Sequence, residues 1–247
     1  MPSNAGAIKA QTRLKFTNGP SVCESYPVRH KSFRSRIPYS KLNQLAASKS
    51  AYAISSGQSI YQEGEPDGFV DVITRGTASL FRLMPDGRRQ VIDFLFAGDF
   101  TDLAFSTIYA SSVQAITDVT LCRFPGSKLR NLTNAFPNIR RQLLQAMSVK
   151  LVNAQDHIVL LGRKSAHEKI ASFLLMLLSQ SEPPNSDKTI MLPMTRTDIG
   201  DYTGLAEETV SRVLTQFRKL NYITMPTPNE IHITDARRLD TIVNGTS

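Results

Sequence analysis

Between residues 51 and 125 the apolar residues come in short runs, cut by Ser56-Gly57, Glu63-Gly64, Pro66-Asp67-Gly68, Arg75-Gly76 and Ala97-Gly98. Glycine, proline and aspartate supply the dihedral angles that turns need, so each break predicts a strand end. Pro85-Asp86-Gly87 lies between ASLFRL (78–83) and QVIDFLF (90–96), which is the pattern of a β-hairpin. Regular repetition of such pieces predicts an all-β domain built as a barrel or jelly roll.

After Pro137 the pattern changes, and no glycine occurs until Gly162. Leu144, Met147, Leu151, Ala154, Ile158 and Leu161 recur at alternating steps of three and four, the spacing of a coiled-coil seam. A long helix is predicted, with this face serving dimerisation; packing of the same face on its own domain is the alternative. Residues 166 to 179 read as a buried helix, and EPPNSD (182–187) as a loop. The predicted organisation is a basic arm at 1–36, a β-roll sensor-like domain at 37–136, a dimerisation helix at 137–163 and a DNA-binding domain at 164–247. The fold class is α+β.

The C-terminal region carries the most chemistry. Thr195-Arg196-Thr197-Asp198 has the form of a capping box, in which Thr195 accepts from the free amide of Asp198 and starts a helix. That helix runs to about Tyr202. Thr203-Gly204-Leu205 then turns the chain into a second amphipathic helix with Val210, Leu214 and Phe217 on one face. This is a helix-turn-helix pattern, and hairpin-like segments at 221–225 and 230–234 complete a winged helix. Glu207, Glu208, Ser211, Arg212 and Thr215 are left on the outer side. Arginine suits bidentate contact with guanine, carboxylate accepts from cytosine, and serine serves several bases. Glu208 and Arg212 also stand at i, i+4, where the carboxylate can orient the guanidinium.

Net charge adds less than it first suggests. The formal +8 comes from residues 1 to 50, which hold nine Lys/Arg against one acid. Residues 164 to 247 hold nine against ten, so DNA binding there rests on local arrangement. The longest apolar run near a helix, FLLMLL (173–178), is too short for a membrane span, and the N-terminus does not read as a secretory signal. Two cysteines, Cys23 and Cys122, are too few for a disulfide framework and agree with a reducing cytoplasm.

MTRTDIGDYTGLAEETVSR (194–212) resembles the DNA-binding signature of the Crp/Fnr superfamily, closest to its Fnr/FixK branch. EGEP near residue 65, LMPDGRRQ (83–90), FLFAGDF (94–100) and the long helix fall in the family's order. The resemblance implies a cyclic-nucleotide-binding-like jelly roll, a long dimerisation helix and a winged helix-turn-helix. It implies a dimeric transcription regulator, an activator acting through RNA polymerase, that reads double-stranded DNA at palindromic TTGA-type half-sites with Glu208, Ser211 and Arg212. Thr195, Arg196 and Glu207 complete the candidate DNA-binding set. Ala206 stands where a Ser/Thr cap is usual, and Glu207 where an apolar residue or arginine is common, next to the outermost base of the half-site.

The same resemblance bears on what is sensed. Cyclic-nucleotide binders of the superfamily use Gly-Glu and a phosphate-binding arginine, but here Gly98-Asp99 and Tyr109-Ala110-Ser111 occupy those places, which argues against cyclic AMP. CESYPVRHKSFR (23–34) resembles a cluster-ligand segment with Tyr26 and Arg34 in two cysteine places, and Cys122 fits the fourth. A [4Fe-4S] cluster needs four thiolates, so the expectation is no cluster and no other cofactor. A thiol or disulfide switch between Cys23 and Cys122 stays open, as does control by haem or another ligand. His30, His157, His167 and His232 form no visible cluster. Oxygen limitation, nitrogen oxides or related metabolic control are the implied signals. A cupin-type metal enzyme is the rival from another class, and residues 51 to 125 contain no histidine to serve it.

Overall fold

The computed structural model describes residues 15–16, 50–66, 68–102, 107–180 and 188–245. The turn-punctuated region forms β2 (Ser50–Ile54), β3 (Ser59–Tyr61), β4 (Phe69–Arg75), β5 (Ala78–Leu83), β6 (Arg89–Leu95), β7 (Ser112–Ala115) and β8 (Val119–Pro125), preceded by β1 (Lys15–Phe16). They make two antiparallel sheets, β1-β2-β8-β4 and β3-β7-β5-β6. Ile54, Ile73, Leu95, Val113 and Leu121 fill the space between them and are almost wholly excluded from water. Gly76 shows why a turn residue is fixed: its φ is +88°, and a Cβ there would lie 2.2 Å from the Asp118 carbonyl oxygen.

Among the described residues of this domain, a buried carboxylate, Asp71, is paired with the half-buried Arg123. Arg123 donates from Nε and Nη2 to the two Asp71 oxygens at 2.8 and 2.7 Å, and its guanidinium lies 5.4 Å from the ring centres of Tyr52 and Phe69. Burial pushes the Asp71 carboxyl up from its ordinary value, and the guanidinium fork opposes that shift.

α1 (Gly126–Ala135) leads from β8 into α2 (Pro137–Arg163), with Pro137 at the first helical turn, where its missing N–H costs nothing. The sequence expectations do not include α1, whose apolar positions Leu129 and Leu132 span a single turn, with Leu129 its one fully buried residue. α2 turns Ile139, Leu143, His157 and Leu160 inward. Leu144, Leu151 and Ile158 are 60, 61 and 69% exposed, and Met147 and Ala154 are also exposed. Leu161 differs from these five. It is half-buried, and its Cδ2 lies 3.2 Å from where a Cβ on Gly204 would sit.

The C-terminal part comprises α3 (Ala166–Gln180), β9 (Thr189–Met191), α4 (Arg196–Thr203), α5 (Glu207–Lys219), β10 (Ile223–Thr227), β11 (Glu230–Ile233) and α6 (Ala236–Val243), with sheet order β10-β11-β9. The loop expected at 182–187 lies outside the described residues. α6 is a second element outside the sequence expectations, although Ala236, Leu239, Ile242 and Val243 recur at helical spacing and face the core. Its start is also written locally, since the Asp235 side chain accepts from the Arg238 amide.

The two parts share a core. Val91 and Phe94 of β6 pack in one buried cluster with Ile170, Phe173 and Leu174 of α3 and Ile199 and Tyr202 of α4. Phe94 meets Tyr202 at 5.4 Å and Phe173 at 6.0 Å between ring centres. Among the described residues no helix is long and apolar enough to cross a membrane.

Candidate nucleic-acid interface

α4 begins at the capping box. Thr195 Oγ1 accepts from the Asp198 amide at 3.1 Å, and the Asp198 carboxylate accepts from the Thr195 amide at 2.9 Å. The helix ends at Gly204, which takes the left-handed conformation at φ 64° and ψ 39° and donates its amide to the Gly200 carbonyl. The next amide, of Leu205, also donates to Gly200, at 3.0 Å. Chain and helix approach so closely here that a Cβ on Gly200 would lie 2.5 Å from the Leu205 carbonyl oxygen. Sequence reasoning alone misses Gly200; a glycine inside a short helix is the available signal.

α5 starts from Ala206 without a side-chain cap, but Glu207 and Glu208 stand in its first turn and Arg218 and Lys219 in its last. Both pairs are placed favourably for the helix dipole, which offsets part of the missing cap. Val210, Val213, Leu214 and Phe217 anchor the inner face. Glu208, Ser211 and Arg212 are exposed on the outer face, and Thr215 is half-buried with its hydroxyl donating back to the Ser211 carbonyl at 2.9 Å.

Four of the candidate residues have surroundings that the sequence does not show. Glu208 and Arg212 form no ion pair among the described residues, so the guanidinium is not held by its i, i+4 neighbour. An exposed pair of that kind gains little over two hydrated charges. Glu207 accepts from Thr197 Oγ1 at 2.7 Å, which ties α5 to α4. Arg196 donates from Nη2 to the Pro228 carbonyl at 2.8 Å, bracing α4 against the turn of the wing, and burial draws its guanidinium down from its ordinary value.

The sensor-like positions are occupied by well-packed side chains. Tyr109, where the resemblance leads one to expect the phosphate-binding arginine, is buried with its ring stacked on Tyr61 at 3.8 Å, and its hydroxyl donates to the Phe69 carbonyl at 3.3 Å. Asp99 accepts from the Phe96 amide at 2.9 Å and closes the turn at Gly98. Cys122 is a buried thiol on β8, paired in register with Ala51 and Val72, while Cys23, Tyr26, His30 and Arg34 lie outside the described residues. His157 Nε2 meets the Tyr202 carbonyl at 2.8 Å, His167 pairs with Gln216 at 2.6 Å, and His232 pairs with Thr189 and Glu230 at 3.1 Å each. Among the described residues no three His, Cys, Asp or Glu side chains are grouped to hold a metal ion.

Comparison with known proteins places this geometry in a lineage. Residues 168–242 match the family described as the Crp-like helix-turn-helix domain, and residues 53–136 match the cyclic nucleotide-binding domain. A protein of Rhizobium leguminosarum bv. viciae named as a probable transcriptional activator is 31% identical over 236 residues, 95% of this chain and 98% of that one. The chain belongs to the Crp/Fnr family of DNA-binding transcription regulators. Another Crp/Fnr relative, the nitrogen fixation regulation protein FixK of Bradyrhizobium diazoefficiens, is 33% identical, with 80% of this chain and 84% of that one covered. The structure of FixK2 from Bradyrhizobium japonicum superposes with a TM-score of 0.75 at 31% identity, covering 78% of this chain and 96% of that one. This Crp/Fnr protein is therefore a regulator and not an enzyme, and the cupin alternative falls with it.

Proposed function

We propose that this Crp/Fnr regulator binds palindromic DNA with TTGA-type half-sites as a homodimer and activates transcription through contact with RNA polymerase. The observation that carries the reading is the outer face of α5. Glu208, Ser211 and Arg212 are exposed there together, in the first turns of the second helix of the motif, the part that enters a major groove. An exposed guanidinium can then take guanine O6 and N7 as a bidentate donor. Glu207 is drawn towards Thr197, so its charge acts on helix packing as well as on the edge of the half-site. Thr195 and Arg196 belong to the same candidate set, at the start of α4.

Dimerisation is supported by Leu144, Leu151 and Ile158, which form an apolar stripe on an exposed helix, where contact with water is unfavourable. Activation is supported by the relatives named as activators. The reading includes no [4Fe-4S] cluster, since the chain has two cysteines, and no cyclic nucleotide, since a buried phenol at Tyr109 stands where the phosphate would need a cation. Control belongs with oxygen limitation, nitrogen oxides or related metabolism, in the cytoplasm.

The test is binding of aerobically purified protein to a TTGAT-N4-ATCAA duplex and to a scrambled duplex at stated salt. Specific binding in air is expected, and Arg212→Ala should weaken it by about 1–3 kcal/mol and relax base preference. Equal affinity of wild type for both duplexes would overturn the half-site, and specific binding untouched in Arg212→Ala would overturn the residue assignment.

A further inference from the structure

Two polar residues of the β domain reach into the helix-turn-helix. Arg89, at the start of β6, pairs through Nη2 with Asp198 and lies with Nε 3.2 Å from the Asp201 carboxylate. Gln90 beside it donates from Nε2 to the Asp201 carbonyl at 2.6 Å. Arg89 is itself held from behind, with its guanidinium 5.0 Å from the centre of the Phe81 ring and Nη1 3.4 Å from Gln114 Oε1. Its side chain is about a quarter exposed, at 23%, so these charges are only partly screened.

The target of these contacts is informative. Asp198 is the residue that closes the capping box of α4, and Asp201 precedes the turn into α5. From the other side, His157 of α2 grips the adjacent Tyr202 carbonyl. Strand, long helix and DNA-binding motif thus converge on one stretch of α4. The grip leaves α5 clear: Glu208, Ser211 and Arg212 remain exposed on its outer face.

We infer that Arg89 and Gln90 form a clamp by which the β domain holds the helix-turn-helix in the attitude that presents α5 to DNA, making Arg89 a positioning residue for recognition. The inference rests on the proposed DNA reading. Its physical basis is pre-organisation: a motif already held at the right attitude loses less freedom on docking, and the charged contacts keep it there. A signal that moves β6 would then act on DNA affinity through this contact.

Arg89→Ala in the full chain separates this role from others. The expected result is about a tenfold loss of affinity for the TTGAT-N4-ATCAA duplex, a contribution typical of a charged hydrogen-bonded contact. Affinity for the scrambled duplex and the salt dependence of binding should stay unchanged. Arg89→Lys should fall between wild type and Arg89→Ala, because it keeps the charge and loses the fork. Adding Asp201→Asn to Arg89→Ala should cost little more than Arg89→Ala alone, since the two act through one contact.

Wild-type affinity in Arg89→Ala, or additive losses in the double variant, would overturn the clamp. So would a salt slope reduced by about one for both duplexes, which marks a direct phosphate contact. If Arg89→Ala does not fold, Asp201→Asn carries the same comparison. If wild type does not discriminate the duplexes, the DNA reading fails separately. Amide hydrogen exchange of DNA-free protein then decides: faster exchange across residues 195–206 in the variant, with the β-domain core unchanged, upholds the clamp, and unchanged exchange overturns it.

Discussion

The imidazole of His157 lies flat against the phenol of Tyr202, with ring centres 4.1 Å apart and planes 8° apart, while its Nε2 donates to the Tyr202 carbonyl at 2.8 Å. One histidine therefore both stacks on and hydrogen bonds to the same residue, and both groups are buried. His157→Ala removes the stack and the shorter of two hydrogen bonds to this carbonyl, leaving only Gln90 Nε2 at 3.4 Å, so a loss of about 1–2 kcal/mol is expected in denaturant unfolding. Tyr202→Phe should cost less than about 1 kcal/mol, because the hydroxyl's contact is a weak one to the Met176 sulfur at 3.5 Å. Equal losses for the two variants would show that the ring stack does not hold α2 to α4.

Two glycines should respond to alanine in opposite directions. At Gly200 the added Cβ would meet the Leu205 carbonyl at 2.5 Å, forcing α4 away from the turn. Gly200→Ala should destabilise the protein by about 2 kcal/mol or more and weaken DNA binding with it. Gly162 lies in α2 with nothing within 4 Å of a Cβ, so Gly162→Ala should raise stability by about 0.5–1 kcal/mol. Thermal unfolding of both variants checks the pair.

The exposed stripe on α2 gives a prediction for assembly. Leu151 and Ile158 are 61 and 69% exposed, so aspartate at either place costs the single chain little. Across a helix pair the same charge would be desolvated against apolar side chains, and Leu151→Asp should shift sedimentation from dimer towards monomer at micromolar concentration. Unchanged sedimentation would place the dimer contact elsewhere.

Two phenols should resist alkali. Burial pushes the hydroxyls of both Tyr61 and Tyr202 well above their ordinary value. Tyr61 lies under the Thr101 carbonyl, to which its hydroxyl donates at 2.8 Å, and Tyr202 lies in the shared core. In the unfolded chain these phenols ionise near pH 10, whereas folded they stay protonated. Their contribution to stability is thus complete below about pH 10 and is lost as the pH rises beyond it. Ultraviolet titration of the seven tyrosines should show these two ionising only as the protein unfolds. Early, reversible ionisation of all seven would contradict the burial.

Much of the DNA-binding motif is legible in the sequence because its determinants are local. Thr195 and Asp198 are three residues apart, and the capping box they predict is present with both of its hydrogen bonds. Val210, Leu214 and Phe217 repeat at helical spacing and are buried, which turns Glu208, Ser211 and Arg212 outward. The hairpin at Pro85-Asp86-Gly87 is equally local, and β5 and β6 pair from Leu83 with Arg89 to Ala78 with Leu95. α1 leaves little trace because its apolar positions, Leu129 and Leu132, span a single turn, whereas α6 does carry a readable signal: Ala236, Leu239, Ile242 and Val243 recur at helical spacing and pack on the core.

The partners of Arg196 and Glu207 are hidden from the sequence for a different reason. Arg196 meets Pro228, and Glu207 meets Thr197, through the folding of wing and helices onto one another rather than through sequence spacing. Burial of Leu161 against Gly204 likewise depends on where α2 meets the motif.

The sequence by itself determined the jelly-roll strands, the long helix, the winged helix-turn-helix and the residues on the outer face of α5, because turn chemistry, caps and apolar period act between near neighbours. Only the tertiary structure decided that Arg89 and Gln90 reach Asp198 and Asp201, more than a hundred residues away along the chain, and that His157 closes on Tyr202. Such contacts follow from burying β6, α2, α3 and α4 around one core, and burial is a property of the assembled surfaces rather than of any segment.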